Sequence, residues 1–525
     1  MTPHPCCRPV AGAIICILLV LAITSAGCTS AGPAAPAPSA FDTDLAKITA
    51  QPAYAHAGWG LIVVDPATGK TLYGKNADQM FVPASSTKLF SSAAVLEALG
   101  PGYRFRTPVY AAGTADSSGN LNGNLVLVAR GDPEMGGRTL PDGTVEFTNF
   151  DHSESDAILT TTDPLSGLND LARQVKAAGI TKVSDVVIDD TLFAPVQLEN
   201  SPLISPIVIN DNLVDVSITP GAAGAAPALA MRPQTAAYRL ENRATTGPAE
   251  SAPTIILAED PAGTIVVTGS IPAGAGTANQ SAPVKAPSAF ARTLFIEALG
   301  RQGVSVTAPG TGGNPKALIP AAAAYAGAQK VAELTSPPLS EDVKLTLKVS
   351  QNLHANHYIM LLALADNRTG FYDGMDKEGR VLKGIGLDTT GVMFGDGAGG
   401  DRVDHVTPQA AAQLLTLASA RPYGDAFVKA QPILGVDGTT VNHCRTGNPA
   451  CGKVYAKTGT FVIPDYMNGQ MVMPSKALAG YVDAKSGRRL VFAVYVNNVP
   501  LSDTVTMDTV GTDLGSVAGL IYQYY

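Results

Sequence analysis

The chain has 525 residues, 46% of them hydrophobic and 15% charged, with a formal net charge of -8. That composition suits a well-packed protein of roughly three or four domain-sized units and excludes a largely disordered, highly charged one. Net negative charge gives no general attraction to phosphate backbones, so no nucleic-acid partner is expected.

Residues 1–28 read as an export leader. Arg8 precedes the apolar run Val10 to Ile23, too short to be a comfortable spanning helix, and the small residues Ser25-Ala26-Gly27-Cys28 follow. Ala-Gly-Cys ahead of the Ala/Pro-rich linker of residues 29–40 resembles a bacterial lipoprotein signal, with Cys28 as the lipidated residue. Ser25 departs from that pattern, since such signals usually carry an aliphatic residue there. Ordinary cleavage nearby and an uncleaved anchor fit the same segment. Each version places the body outside the cytoplasmic membrane, in the cell envelope, and the lipidated or uncleaved version adds membrane contact through the N-terminal anchor. Beyond the leader only Cys444 and Cys451 remain, and two close cysteines in an exported chain predict one disulfide.

Residues 58–75 predict a hairpin: Gly60 to Val64, a turn at Asp65-Pro66-Ala67-Thr68-Gly69, then Thr71 to Tyr73. Gly69-Lys70-Thr71 has the end of a phosphate loop, but Val64 stands where its first glycine belongs. Lys88 to Leu99 has helical spacing and stops at Gly100-Pro101-Gly102, placing Ser85 at or just inside a helix N-terminus. From 104 to 325 short β-like runs alternate with Gly, Ala, Pro and Thr, predicting one or two β-rich inserted domains. Residues 222–227 and 273–287 read as loops there. Helical character returns at Phe290 to Leu299 and from Leu339 to Leu364. Residues 453–460, 477–483 and 490–496 predict consecutive antiparallel strands, and Val510 to Tyr522 a closing helix.

Three short motifs carry chemistry: Ser85-Ser86-Thr87-Lys88, Ser350-Gln351-Asn352 and Lys457-Thr458-Gly459-Thr460. A serine hydroxyl near neutral pH needs a base beside it. Ser85 and Lys88, three apart at a helix start, lie on one face, and burial plus a neighbouring cation would lower the lysine pKa. Lys457 is the candidate cation. Ser350 offers a hydroxyl for proton relay, and Asn352 an amide for a substrate backbone. Lys457-Thr458-Gly459 lies on a predicted strand whose edge can pair with an extended substrate, while its lysine and hydroxyls suit a carboxylate. Ser-x-Asn alone carries little, since Ser118-Gly119-Asn120 also matches in a turn. Its weight comes from the order of all three.

In that order the motifs resemble the class C low-molecular-mass penicillin-binding proteins, the D-alanyl-D-alanine carboxypeptidase/endopeptidase family of the cell wall. Pro83-Ala84-Ser85, Gly131-Asp132-Pro133, Asn210-Asp211-Asn212, Ser336-Pro337-Pro338-Leu339 and Gly435 to Thr439 extend the likeness. So does the long separation of Ser85 from Ser350. The resemblance implies an α/β (α+β) fold: a penicillin-binding transpeptidase/β-lactamase-like domain with antiparallel sheet and helices, interrupted by β-rich inserted domains. Residues 41–103 plus 326–525 would form the catalytic domain, and 104–325 the insert. It also implies roles. Ser85 would be the acylated nucleophile, Lys88 its base and Ser350 the relay to the leaving D-alanine. Asn352 would bind the peptide, Lys457, Thr458 and Gly459 would shape the substrate site, and Thr460 would recognise the terminal carboxylate. The Ser85 and Thr460 backbone N–H groups would form the oxyanion hole. Residues 396–402 resemble a segment rimming the family's site, with three departures from its usual pattern, and Arg402 is the substrate contact it would supply. Peptidoglycan stem peptides would be the substrate, β-lactams covalent inhibitors, and no cofactor is implied.

Two other readings compete: a serine β-lactamase, and a non-catalytic, penicillin-sensing or wall-binding lipoprotein. The first usually carries Glu-x-x-x-Asn after the second motif, and no such pattern lies between Asn352 and Lys457. His354 and His357, three apart on a helix, lack supporting carboxylates and read as helix-surface or site-rim residues, so no metal is expected. Asp437, in Asp-Gly-Thr, reads as a turn residue.

Overall fold

The computed structural model describes residues 39–525 except 153–156, 200 and 262. The leader, Cys28 and residues 29–38 of the linker lie outside the described residues. The chain then enters a helix, Ala40–Thr49, whose N-cap Ser39 exchanges bonds with Asp42 in a capping box. Among the described residues no helix is long and apolar enough to cross a membrane.

The main sheet is antiparallel throughout. Its strands run 454–465, 470–483, 489–497, 58–65 and 70–75 from one edge to the other, so the 58–75 hairpin and the C-terminal strands meet in one layer. A short strand at 499–500 pairs alongside 470–483. The period-two alternation of these sequences divides the two faces. Leu478, Val482, Phe492, Val494, Leu61 and Val63 pack toward the C-terminal helix Met507–Tyr524. Ala477, Ala479, Tyr481, Ala493, Tyr495 and Ile62 lie on the opposite face, which Pro408–Ser419 covers, in one core with Lys88–Leu99 and Asn352–Ala365. Every strand but the edges is therefore apolar on both sides.

The 58–75 hairpin, the three consecutive strands and the closing helix match the expectations. The long helix expected over Leu339 to Leu364 is instead two helices, Leu339–Val349 and Asn352–Ala365. Ser350 separates them in the left-handed region at φ 67°, a conformation that ends a helix. Ser350 thus stands in the notch between two helices rather than on one helical face.

A second core lies under the segment between the first two motifs. Its four-stranded sheet runs 329–335, 106–115, 121–128 and 185–189, with the last pair parallel. Smaller sheets, including 278–283 on 213–219 on 228–232, and the helices Ser166–Ala177 and Pro287–Arg301 complete it. Residues 278–283 were expected to be loop. Their polar, small side chains lack an apolar stripe, but their backbone completes the edge of strand 213–219. Tertiary pairing has overridden local propensity there.

Candidate active site

Ser85 lies in a single 3-10 turn, Ala84–Thr87, leading into the helix Lys88–Leu99. Its neighbours Pro83, Ala84 and residues 86–92 are buried, and Ser85 alone in that run is partly open. Two glycines permit this placement. A Cβ on Gly459 would sit 2.2 Å from the Pro83 carbonyl oxygen, and one on Gly399 would sit 1.9 Å from that of Ala84. Ala84 itself is held at φ 46°, an uncommon conformation for a non-glycine residue, beside Ser85. The turn is clamped between the edge strand of the third motif and the loop of residues 396–400.

The three motifs meet here. Lys88 is fully buried, and its Nζ donates to Ser85 Oγ at 2.8 Å, Asn352 Oδ1 at 2.7 Å and the Ala398 carbonyl at 2.8 Å. Once neutral, an amine has only two N–H donors. Asn352 Oδ1 and the Ala398 carbonyl can only accept, so they take both and leave the lone pair facing the Ser85 hydroxyl. Burial pushes the Lys88 pKa down to about 7, against an upward pull from Asp396 and Asp404. Of the two expected causes, burial lowers the Lys88 pKa, and Lys457 is not among the groups that shift it.

Lys457, also fully buried, donates to Ser350 Oγ at 2.9 Å and to the Thr458 carbonyl at 2.8 Å. Burial, then Lys88 and Lys476 nearby, hold it well below the ordinary lysine range. Thr458 Oγ1 donates to Thr439 Oγ1 at 2.7 Å, which ties the Asp437-Gly438-Thr439 turn to the edge strand. Asp437 is a turn residue as expected, and it also pairs with Lys348 at 2.6 Å. Thr460 Oγ1 accepts from Lys476 Nζ at 2.9 Å.

Several contributors were not anticipated. Ala398 acts through its carbonyl, which Asp396 positions by accepting from the Ala398 and Gly399 N–H groups at 2.8 and 2.6 Å. Asn356 and Ser91 hold Gly397 from either side. The glycine-rich Asp396 to Gly400 run was the available signal for a tight loop. Arg402, at the far end of the loop, is exposed. Lys476 carried no motif and reaches Thr460 only through strand register.

His354 is neither on the helix surface nor on the site rim. It is fully buried, with Nδ1 2.7 Å from Asp342 and Nε2 3.0 Å from Asp211. Burial works against its charge, but those carboxylates outweigh it and hold its pKa near 10. Asp211 also meets Arg138 at 2.6 Å, His152 at 2.6 Å and Gln351 Nε2 at 3.1 Å. This network joins the inserted segment to the turn carrying Ser350. His357 is buried as well, and its Nε2 donates to the Gly131 carbonyl at 2.9 Å. Among the described residues no cluster has the makings of a metal site. Cys444 and Cys451 form a disulfide across a short loop ahead of the edge strand.

The sequence pattern of the D-Ala-D-Ala carboxypeptidase 3 (S13) family matches residues 41–512. The chain belongs to that family. It is 33% identical over 508 residues to the D-alanyl-D-alanine carboxypeptidase of Actinomadura sp. (strain R39), covering 91% of this chain and 84% of that one. It is 22% identical to penicillin-sensitive carboxypeptidase A of Dictyostelium discoideum, covering 86% of this chain and 85% of the relative. The fold is that of penicillin binding protein 4 (dacB) from Haemophilus influenzae, with a TM-score of 0.69 at 20% identity over 92% of this chain and 99% of the other. That protein has also been solved complexed with a β-lactam. As an S13 member the chain is a serine-type D-Ala-D-Ala carboxypeptidase, of the α/β penicillin-binding fold expected.

Proposed function

We propose that Ser85 is the residue acylated by the D-alanyl carbonyl of peptidoglycan stem peptides and by penicillins, with Lys88 as its base. The observation that carries this is the Lys88 amine, whose two non-serine partners are pure acceptors. Neutral Lys88 takes the Ser85 proton as the Oγ–C bond forms. The Ser85 and Thr460 N–H groups hold the developing oxyanion, a contribution of about 3–4 kcal/mol per donor. As the C–N bond breaks, Ser350 hands its proton to the departing D-alanine nitrogen and is resupplied from Lys88. Lys457, donating to Ser350 Oγ, turns the hydroxyl proton toward that nitrogen. Water then enters with Lys88 again as base, and the ester is hydrolysed.

Asn352, Thr458, Gly459 and Thr460 bind the peptide in this reading, with Arg402 at the rim. Thr460 recognises the terminal carboxylate, and endopeptidase action on cross-links uses the same groups. The catalytic unit comprises residues 41–103 and 326–525 around the insert 104–325. Pairing of strand 329–335 with 106–115 supports drawing the second boundary a few residues later. The leader exports the body and anchors it to the outer face of the cytoplasmic membrane through Cys28. Incubating the chain with labelled penicillin and a D-Ala-D-Ala stem peptide tests the assignment. A lasting adduct, D-alanine release and loss of both in Ser85→Ala are expected. Rapid penicillin hydrolysis without D-alanine release would overturn it.

A further inference from the structure

Three buried lysines here each donate to one hydroxyl: Lys88 to Ser85, Lys457 to Ser350 and Lys476 to Thr460. The first two belong to the motifs, and the third has no assigned role. Lys476 is 4% exposed and sits directly across the strand pair from Thr460. Among the described residues no carboxylate lies within ion-pair distance of its Nζ. Asp508, at the start of the C-terminal helix, attracts it from further away, and His443 and Lys457 are the other titratable groups that feel its charge. A buried ammonium without a contacting counter-charge is unfavourable unless an anion arrives. Its bond to Thr460 leads to the edge strand of the third motif. With a Thr460 lone pair occupied by the ammonium, the hydroxyl proton is turned outward as a donor.

We propose that Lys476 is the specificity residue for the free terminal carboxylate of the substrate, acting through Thr460: it fixes that hydroxyl as a donor and places a positive charge directly behind it. Lys476 is thus a positioning residue that reads the charge of the scissile dipeptide's C-terminus. An acyl-D-Ala-D-Ala acid gains from it, and the same peptide ending in a carboxamide does not. The shape of the two peptides is nearly the same, so the discrimination is electrostatic. The inference rests on the DD-peptidase reading of the site.

The test compares kcat/KM for a D-Ala-D-Ala stem peptide and its C-terminal carboxamide, in wild type, Lys476→Met and Lys476→Arg. A charged hydrogen-bond partner of this kind is worth about a tenfold to hundredfold preference. Lys476→Met is expected to lose most of the acid-over-amide ratio by lowering the acid value, and Lys476→Arg to restore part of it. Thr460→Ala is expected to remove the same preference, with little further loss when combined with Lys476→Met. Equal losses on acid and amide would show a merely structural lysine and overturn the inference. So would an unchanged ratio in Lys476→Met. Wild-type turnover that survives Ser85→Ala would instead sink the parent assignment, and is recognised without any Lys476 variant.

Discussion

Replacing Lys88 by Met isolates the chemistry of the amine, because the two side chains are similar in length and the site is sealed. At an ordinary lysine pKa of 10.5, only about one molecule in 3,000 would carry the neutral amine at pH 7. With burial lowering the value to about 7, half of the molecules do. The gain in competent base at pH 7 is roughly a thousandfold, or about 4 kcal/mol, for a group with no exposure to solvent. Loss of general-base assistance itself is worth about 10²–10⁴-fold. The assay is the single-turnover acylation rate with a chromogenic β-lactam, followed from pH 5 to 9. The proton must leave Lys88 before Ser85 can be activated, so the wild-type rate should rise about tenfold per pH unit below the lysine pKa and level off above about 7. Lys88→Met should be slow at every pH and lack this rise. A flat wild-type profile, or Lys88→Met acylating near the wild-type rate, would refute the reasoning.

Asp211→Asn removes the shared carboxylate of Arg138, His152 and His354, and unfolding in urea should show a loss of about 3–5 kcal/mol. His354 is raised from its unfolded value of 6.5 to about 10, so its stabilisation is full below pH 6.5 and is lost as pH rises through 10. The fall in wild-type stability over that window should shrink in Asp211→Asn. Gly459→Ala must push the edge strand off the Pro83 carbonyl, and a displacement of about 1 Å should lower the acylation rate about 10²-fold while the melting transition remains cooperative. Replacing Cys444 and Cys451 together by serine releases a short loop and should lower stability by about 2.5 kcal/mol in urea titrations. Activity per folded molecule should stay close to wild type.

The parts of the site legible in the sequence are those whose chemistry sits within a few residues. Ser85 and Lys88 share a helix start, and Lys457 to Thr460 share a strand, so local geometry carried them. Ser350 was identified by its place in the motif order. Its left-handed backbone was not anticipated, because a serine between two helical patterns carries no break signal as glycine would. Lys476 and Ala398 escaped for a different reason. One depends on strand register and the other on a carbonyl, and neither has a side-chain pattern to read. The misplacement of His354 has the same origin: Asp342 reaches it from the preceding helix and Asp211 from the insert, and only tertiary packing brings both carboxylates to it. Strand 278–283 has the sequence of a loop, since pairing, not propensity, orders it.

The most direct test of the account is rapid quenching of the chain with a D-Ala-D-Ala stem peptide, followed by mass mapping of the adduct and a count of D-alanine released. An acyl group on the peptide containing Ser85, one D-alanine per acyl group formed, and neither product in Ser85→Ala are the predicted results. An adduct on another residue, or D-alanine release that persists in Ser85→Ala, would contradict it.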